Sequence, residues 1–185
     1  SLEDLFRDCG RTFSLKTVLM LAEQMIDCIE YTHSCGIAHR DIKPENIGVS
    51  AVGRGDALHL VLFDFSLSRC SPENIRAGTP GYLDPFLPLR KPLRWDLQAE
   101  RYSAAVTIYQ MTTGFLPVWY DGKTDPAMVD CEVTIDTERF DPNLRDAFSD
   151  FFRRALRRNP RERFDNAQQM LDAWQRIFST VTLTH

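Results

Sequence analysis

His39-Arg40-Asp41-Ile42-Lys43-Pro44-Glu45-Asn46 is the stretch from which the rest of this chain is read. The residues after it form short, regular segments. Ile47-Gly48-Val49-Ser50 and the apolar run Leu58–Phe63 read as two strands, with Gly53-Arg54-Gly55-Asp56 as the turn between them. Such a hairpin holds Asn46 and Asp64 on adjacent strand ends, where both side chains reach one metal. They are oxygen donors of the kind magnesium takes, few in number and with phosphates completing the shell. Asp64-Phe65-Ser66 closes the second strand. A polar segment with hydroxyls at Ser66, Ser68, Ser71 and Thr79 then leads to Gly78-Thr79-Pro80-Gly81-Tyr82-Leu83-Asp84-Pro85.

Three of these stretches, in this order and spacing, resemble the signature of eukaryotic-type protein kinases. Residues 39–46 match the catalytic loop, Asp64-Phe65-Ser66 resembles the magnesium-binding D-F-G motif, and 78–85 resembles the end of an activation segment. The chemistry explains their company. Phosphoryl transfer needs a carboxylate at the attacking hydroxyl, metal ligands for the phosphates and a cation against developing charge. The resemblance implies Asp41 as catalytic base and Lys43 as the second catalytic residue, placing charge beside the transferred phosphate. Lys43, Asn46 and Asp64 would hold ATP, with Mg2+ on Asn46 and Asp64. A lone Asp or Asn in a loop is usually a turn or cap residue; the shared context favours the functional reading here. Lysine at 43 is the serine/threonine-kinase pattern. His39 is expected to be structural, packing near Phe65. Arg40 is suited to pair with a phosphorylated hydroxyl of the activation segment. His33 and His59 have no partners at ligand spacing.

Composition bounds the rest. At 185 residues with 43% hydrophobic content, the chain has the length for one domain with a sizeable core. Against 26 acidic residues stand 22 Lys and Arg, which argues against nucleic acid as partner. The basic run Arg153, Arg154, Arg157, Arg158, Arg161 and Arg163 reads as a solvated helix face near its negative end, with Arg163 matching the family's partner of the A-P-E glutamate. The five cysteines are odd in number and lack metal-ligand spacing, so free thiols in a reducing cytoplasm are the simplest account. No apolar run reaches the length of a membrane span, and no signal peptide is expected.

Helical spacing frames the site. Ser1 caps a short helix with Leu2, Leu5 and Phe6 inward, and Ser14 caps a second over 15–34, stopped by Gly36. A strongly apolar helix over 96–113 ends at Gly114. Residues 118–140 read as loop. Asp141-Pro142 starts the next helix, Asn159-Pro160 stops it, and Asp165 with Gln168 caps the last. The fold class is therefore mainly α (α+β): a kinase-like C-terminal lobe with small β-hairpins over 1–180, ending in a tail at 181–185. The Gly-rich loop, V-A-I-K lysine and helix glutamate of an N-lobe are not found in 1–38, so the N-lobe is read as absent. Residues 1–36 resemble the casein kinase I family. The stretch 37–178 is more similar to bacterial serine/threonine kinases of phage-defence proteins. Those likenesses describe a chimera or a divergent homologue.

Five departures from the family pattern bear on activity. Phe86 comes after Asp84-Pro85 where the A-P-E glutamate would stand, leaving Arg163 without its usual partner. Glu100 replaces Asp before the central helix, with an extra methylene that shifts its bonds to the catalytic loop. Ser66 replaces Gly. Gly48 replaces the apolar floor under adenine. The fifth is the N-lobe. The chain is then either a serine/threonine kinase acting on protein hydroxyls with Mg-ATP, or an inactive module, pseudokinase or chimera that folds, binds and self-associates through an uncovered surface.

Overall fold

A computed structural model describes residues 1–10, 12–53 and 57–182. Ser1 accepts from the Asp4 amide and its ammonium donates back to the Asp4 carboxylate, a closed capping box for α1 (Leu2–Asp8). The Ser14 hydroxyl accepts from the Thr17 amide and starts α2 (Leu15–Ser34). The far end of α2 is a Schellman turn. Gly36 adopts φ +71°, its N–H donates to His33 O at 3.0 Å, and the Ile37 N–H donates to Thr32 O at 2.8 Å. That turn delivers the chain directly into the 39–46 loop.

β1 (Ile47–Ala51) pairs antiparallel with β2 (Leu58–Leu62), Gly48 opposite Val61. Burial alternates along β2: Leu60 and Leu62 point into the core, while His59, Val61 and the adjoining Phe63 face outward. Gln24 of α2 clips the strand by donating to Leu58 O at 2.9 Å and accepting from the Leu60 N–H at 2.8 Å. Of the expected turn, Arg54, Gly55 and Asp56 lie outside the described residues.

α3 (Leu97–Thr113) runs from an Asp96 cap, accepting from the Ala99 amide, to Gly114 at φ +81°. It is buried around most of its circumference. Its Ser103, Thr107 and Thr113 hydroxyls are satisfied by carbonyls one turn earlier. Residues 118–140 form loop with two short 3-10 turns, Pro126–Met128 and Thr137–Arg139. Two helix starts differ from the sequence reading. Asp141-Pro142 closes a turn, the Asn143 amide donating to Asp141 Oδ1, and α4 (Arg145–Ala155) begins after it. Asn166, not Asp165, accepts from the Gln169 amide and caps α5 (Ala167–Thr182). Residues 183–185 of the expected tail lie outside the described residues, and α5 continues past position 180.

α2 packs against α3, α5 and β2, and α4 against α3 and α5. The centre is aromatic: Phe148, Phe151 and Phe152 of α4 surround Trp174 of α5. The Trp174 indole N–H donates to Leu19 O at 3.0 Å, tying α5 to α2.

Arg163 does not lack a partner. It is buried against Asp84, with Nη1 at 2.6 Å from Oδ2 and Nη2 at 3.3 Å from Oδ1. Arg90 reaches the same carboxylate at 2.6 Å and bridges on to Asp96 at 2.8 Å. Burial pushes the Asp84 carboxyl up, but the two guanidinium groups outweigh it and hold the group below its ordinary value. A carboxylate two residues before Phe86 therefore does what the glutamate was expected to do. Proximity in space, not alignment in sequence, decides which acid pairs with a buried arginine.

Candidate active site

Glu100, only 1% exposed at the start of α3, anchors the 39–46 loop. Its carboxylate accepts from the His39 N–H at 3.1 Å and the Arg40 N–H at 2.7 Å. The extra methylene leaves both loop amides satisfied. His33 of α2 contacts the same carboxylate at 3.1 Å, a partner that helical spacing alone could not reveal.

His39 is fully buried and structural, as its motif implied. Its Nε2 donates to Phe63 O at 2.7 Å and its Nδ1 accepts from the Asp41 N–H at 3.2 Å. The ring lies 4.5 Å from that of Phe65. One imidazole thus joins the loop, the end of β2 and the Asp64 segment.

Four side chains converge beyond it. The Thr79 hydroxyl donates to Asp41 Oδ1 at 2.7 Å and accepts from Lys43 Nζ at 2.8 Å. Lys43 Nζ lies 3.4 Å from Asp41 Oδ2. Asn46 Nδ2 donates to Asp41 O at 2.9 Å and to Asp41 Oδ2 at 3.1 Å. Gly78 lets Thr79 arrive there. Its φ is +144°, and a Cβ would meet Leu83 Cδ1 at 2.9 Å. By sequence Thr79 is only one of several segment hydroxyls; in the fold it is a central member of the cluster.

Asp64 stands at the rim in the left-handed region, φ +61°. The Ser66 hydroxyl and amide hold its carboxyl below the ordinary range. Ser66 itself is not left-handed, so the serine imposes no strain there. The Phe63 N–H donates to Asn46 O at 3.0 Å, which joins the two segments carrying the candidate metal ligands.

These residues fit a magnesium–phosphate group. With its amide nitrogen spent on Asp41, Asn46 keeps an Oδ1 that accepts no hydrogen bond among the described residues. The Asp64 carboxylate is exposed and charged. No cage of three His, Cys, Asp or Glu side chains is found among the described residues. Two oxygen donors and open coordination suit Mg2+ carrying phosphates and water better than a protein-enclosed metal.

Arg40 faces the activation segment. Its guanidinium donates to the carbonyls of Cys70, of Ser71 at 3.1 Å and of Asn74 at 3.1 Å. It also lies 4.6 Å over the Trp95 ring. The activation-segment backbone takes Nη1 and Nη2, while Nε has no hydrogen-bond partner among the described residues. Of the basic run, Arg153, Arg154 and Arg161 are exposed, as a solvated face requires; Arg154 lies over Phe164 and bonds Gln169, Arg157 pairs with Glu132 and Glu162, Arg158 lies over Phe86 and donates to Pro126 O, and only Arg163 is buried.

Comparison with known proteins identifies the family. A family model described as protein kinase domain matches residues 1–175. A probable kinase PglW of Streptomyces coelicolor is 41% identical over 166 residues, 88% of this chain. The match spans 11% of that relative's length. No helix among the described residues is long and apolar enough to cross a membrane.

Proposed function

This chain belongs to the protein kinase family, and we propose that residues 1–180 are the C-lobe portion of a serine/threonine kinase using Mg-ATP, with 181–185 as a tail. The observation that carries the reading is the Asp41–Thr79–Lys43 cluster, in which a carboxylate and an ammonium already share an aliphatic hydroxyl. A substrate serine or threonine presents the same group. Asp41 accepts or orients the proton of that hydroxyl, and Lys43 sets positive charge beside the transferred phosphate. Asn46 Oδ1 and Asp64 hold the metal. Bound Mg-ATP supplies the phosphoryl group and the charge that neutralises it.

The extent of the PglW match favours one line of descent over a chimera of casein kinase I and phage-defence parts. Five free cysteines suit a cytoplasmic setting. A second reading, a non-catalytic module that associates with itself, draws on the outward Val61 and Phe63. Size-exclusion chromatography separates the two oligomeric expectations.

A thermal-shift titration tests the main reading, comparing Mg-ATP with Mg alone on the wild type and Asp64→Ala. A ligand of the folded state raises the melting temperature. Stabilisation of the wild type and not the variant supports the site. No stabilisation of either over a millimolar-scale titration leaves a kinase by descent without this chemistry.

A further inference from the structure

An open pocket of about 540 Å3 lies where the segment before α3 meets the turn after α4. Phe86, Leu89, Arg90 and Lys91 line it from the first, Arg158 and Arg161 from the second. None of its lining residues belongs to the Asp41 cluster.

Charge in this pocket is unbalanced. Its one carboxylate, Asp96, is already spent: Oδ2 accepts from Arg90 Nε at 2.8 Å and Oδ1 from the Ala99 N–H at 2.9 Å. Arg90 is held in turn by buried Asp84. Glu132 and Glu162, from outside the lining, each pair with Arg157 at 3.6 Å. Glu132 also accepts from the Arg158 backbone N–H at 3.2 Å, not from its side chain. Lys91, Arg158 and Arg161 therefore keep their charges without an ion pair among the described residues. Lys91 and Arg161 are exposed. The Arg158 fork is oriented in advance, with Nη1 on Pro126 O at 2.6 Å and the guanidinium 5.0 Å over the Phe86 ring. Its Nε and Nη2 have no acceptor among the described residues.

The number of free cations selects the ligand. A carboxylate carries one charge and two oxygens, and one arginine fork satisfies it. A phosphate ester carries nearly two charges and three strong acceptor oxygens. Three uncommitted cations match the phosphate. Two further features favour a peptide over the free ion. Leu89 in the lining is 52% exposed and Leu93 of the same loop is 57% exposed, which offers apolar contact to residues beside the phosphate. The buried Gln98 Oε1, also at this pocket, has no donor among the described residues, and a peptide backbone supplies N–H groups.

We propose that this pocket docks a phosphorylated segment of a protein. Lys91, Arg158 and Arg161 take the phosphate, and Leu89 and Leu93 take apolar side chains next to it. The docking is independent of the Mg-ATP reading, because it asks for binding at this face and no chemistry at Asp41.

The test is fluorescence anisotropy of the full chain with a labelled decapeptide, leucines flanking a central phosphoserine, against the same peptide with serine. Inorganic phosphate and phosphatidylserine vesicles are the comparison ligands. Wild type is set beside Arg158→Gln and the double variant Lys91→Ala with Arg161→Ala, whose exposed side chains leave the core intact; melting temperatures confirm folding. The phosphopeptide should bind about tenfold tighter than its serine counterpart, the weight of a charge-assisted hydrogen bond. The double variant should remove that gain, Arg158→Gln should reduce it, and added salt should weaken it. Equal affinity for the two peptides overturns the proposal. So does a gain that survives in the double variant, which places the phosphate at Lys43 or another cation. Inorganic phosphate binding as tightly as the phosphopeptide makes this a small-anion site and removes the peptide partner. Vesicle binding that depends on Lys91 and Arg161, without phosphopeptide binding, assigns the face to a membrane surface, and the proposal fails.

Discussion

Thr79 changes what Asp41 and Lys43 can do. The ammonium and carboxylate already pair at 3.4 Å, and the Thr79 hydroxyl bonds both and fixes their geometry. Thr79→Val keeps the shape and removes the bridge. Phosphotransfer should fall about ten- to a hundredfold, the effect of losing a charge-assisted hydrogen bond of about 1.5–3 kcal/mol, and Thr79→Ser should restore it. Asp41→Asn should cost about 10²- to 10⁴-fold. Steady-state rates for the three variants check this, and a wild-type rate for Thr79→Val would remove Thr79 from the machinery. Asp41, Lys43, Asn46 and Asp64 stand out as candidates in the sequence because they sit in short stretches of fixed spacing. Thr79 does not, because its hydroxyl is 38 residues from Asp41 in sequence and no periodicity connects them.

The activation segment is the element whose behaviour the structure redefines. Arg40 holds it through three carbonyls and rests on Trp95, whose backbone N–H donates to Pro72 O at 2.7 Å. A guanidinium so occupied orders the segment without any added phosphate. Hydrogen exchange over residues 70–77 should be the same before and after phosphatase treatment, and Trp95→Ala should speed it several-fold, as expected when about 1 kcal/mol of cation–π contact is lost. Protection that appears only in phosphorylated protein would refute this. Elements themselves were read well where an apolar stripe met a side-chain cap, as at Ser14, while the Asp96 cap of α3 emerges only in the fold. They slipped at Asp141 and Asp165. Before α5, Asp165 and Asn166 compete for the cap; α4 starts after Leu144 with no side-chain cap, where the preceding turn leaves the backbone.

Across the whole molecule, Asp84 joins Arg90 and Arg163 at the base of the activation segment, Arg163 being 79 residues away in sequence and buried with it. Removing the acid leaves Arg163 buried without an ion-pair partner, while Arg90 keeps Asp96. Asp84→Ala should destabilise the fold by about 3–5 kcal/mol, measured by urea denaturation. The pH dependence has a definite sign. In the unfolded chain Asp84 titrates near 3.8, and in the fold it titrates lower. Its contribution is complete above pH 3.8 and is lost as pH falls through the folded value. Asp84→Asn should therefore lack part of the acid-induced loss seen in wild type below that pH. An unchanged acid slope would show that other carboxylates carry it.

Local order determined much about this protein. Helix stripes, the hairpin between Asn46 and Asp64 and the kinase signature depend on residues near one another in sequence, where backbone period and side-chain type are coupled directly. Tertiary structure decided the pairings: Thr79 with Asp41, His33 with Glu100, Asp84 with Arg163, the carbonyls on Arg40, and Phe63 beside Gly48. Each is a contact between separate elements. A residue's type states which partners would satisfy it, but only the packed core sets which of them comes within reach.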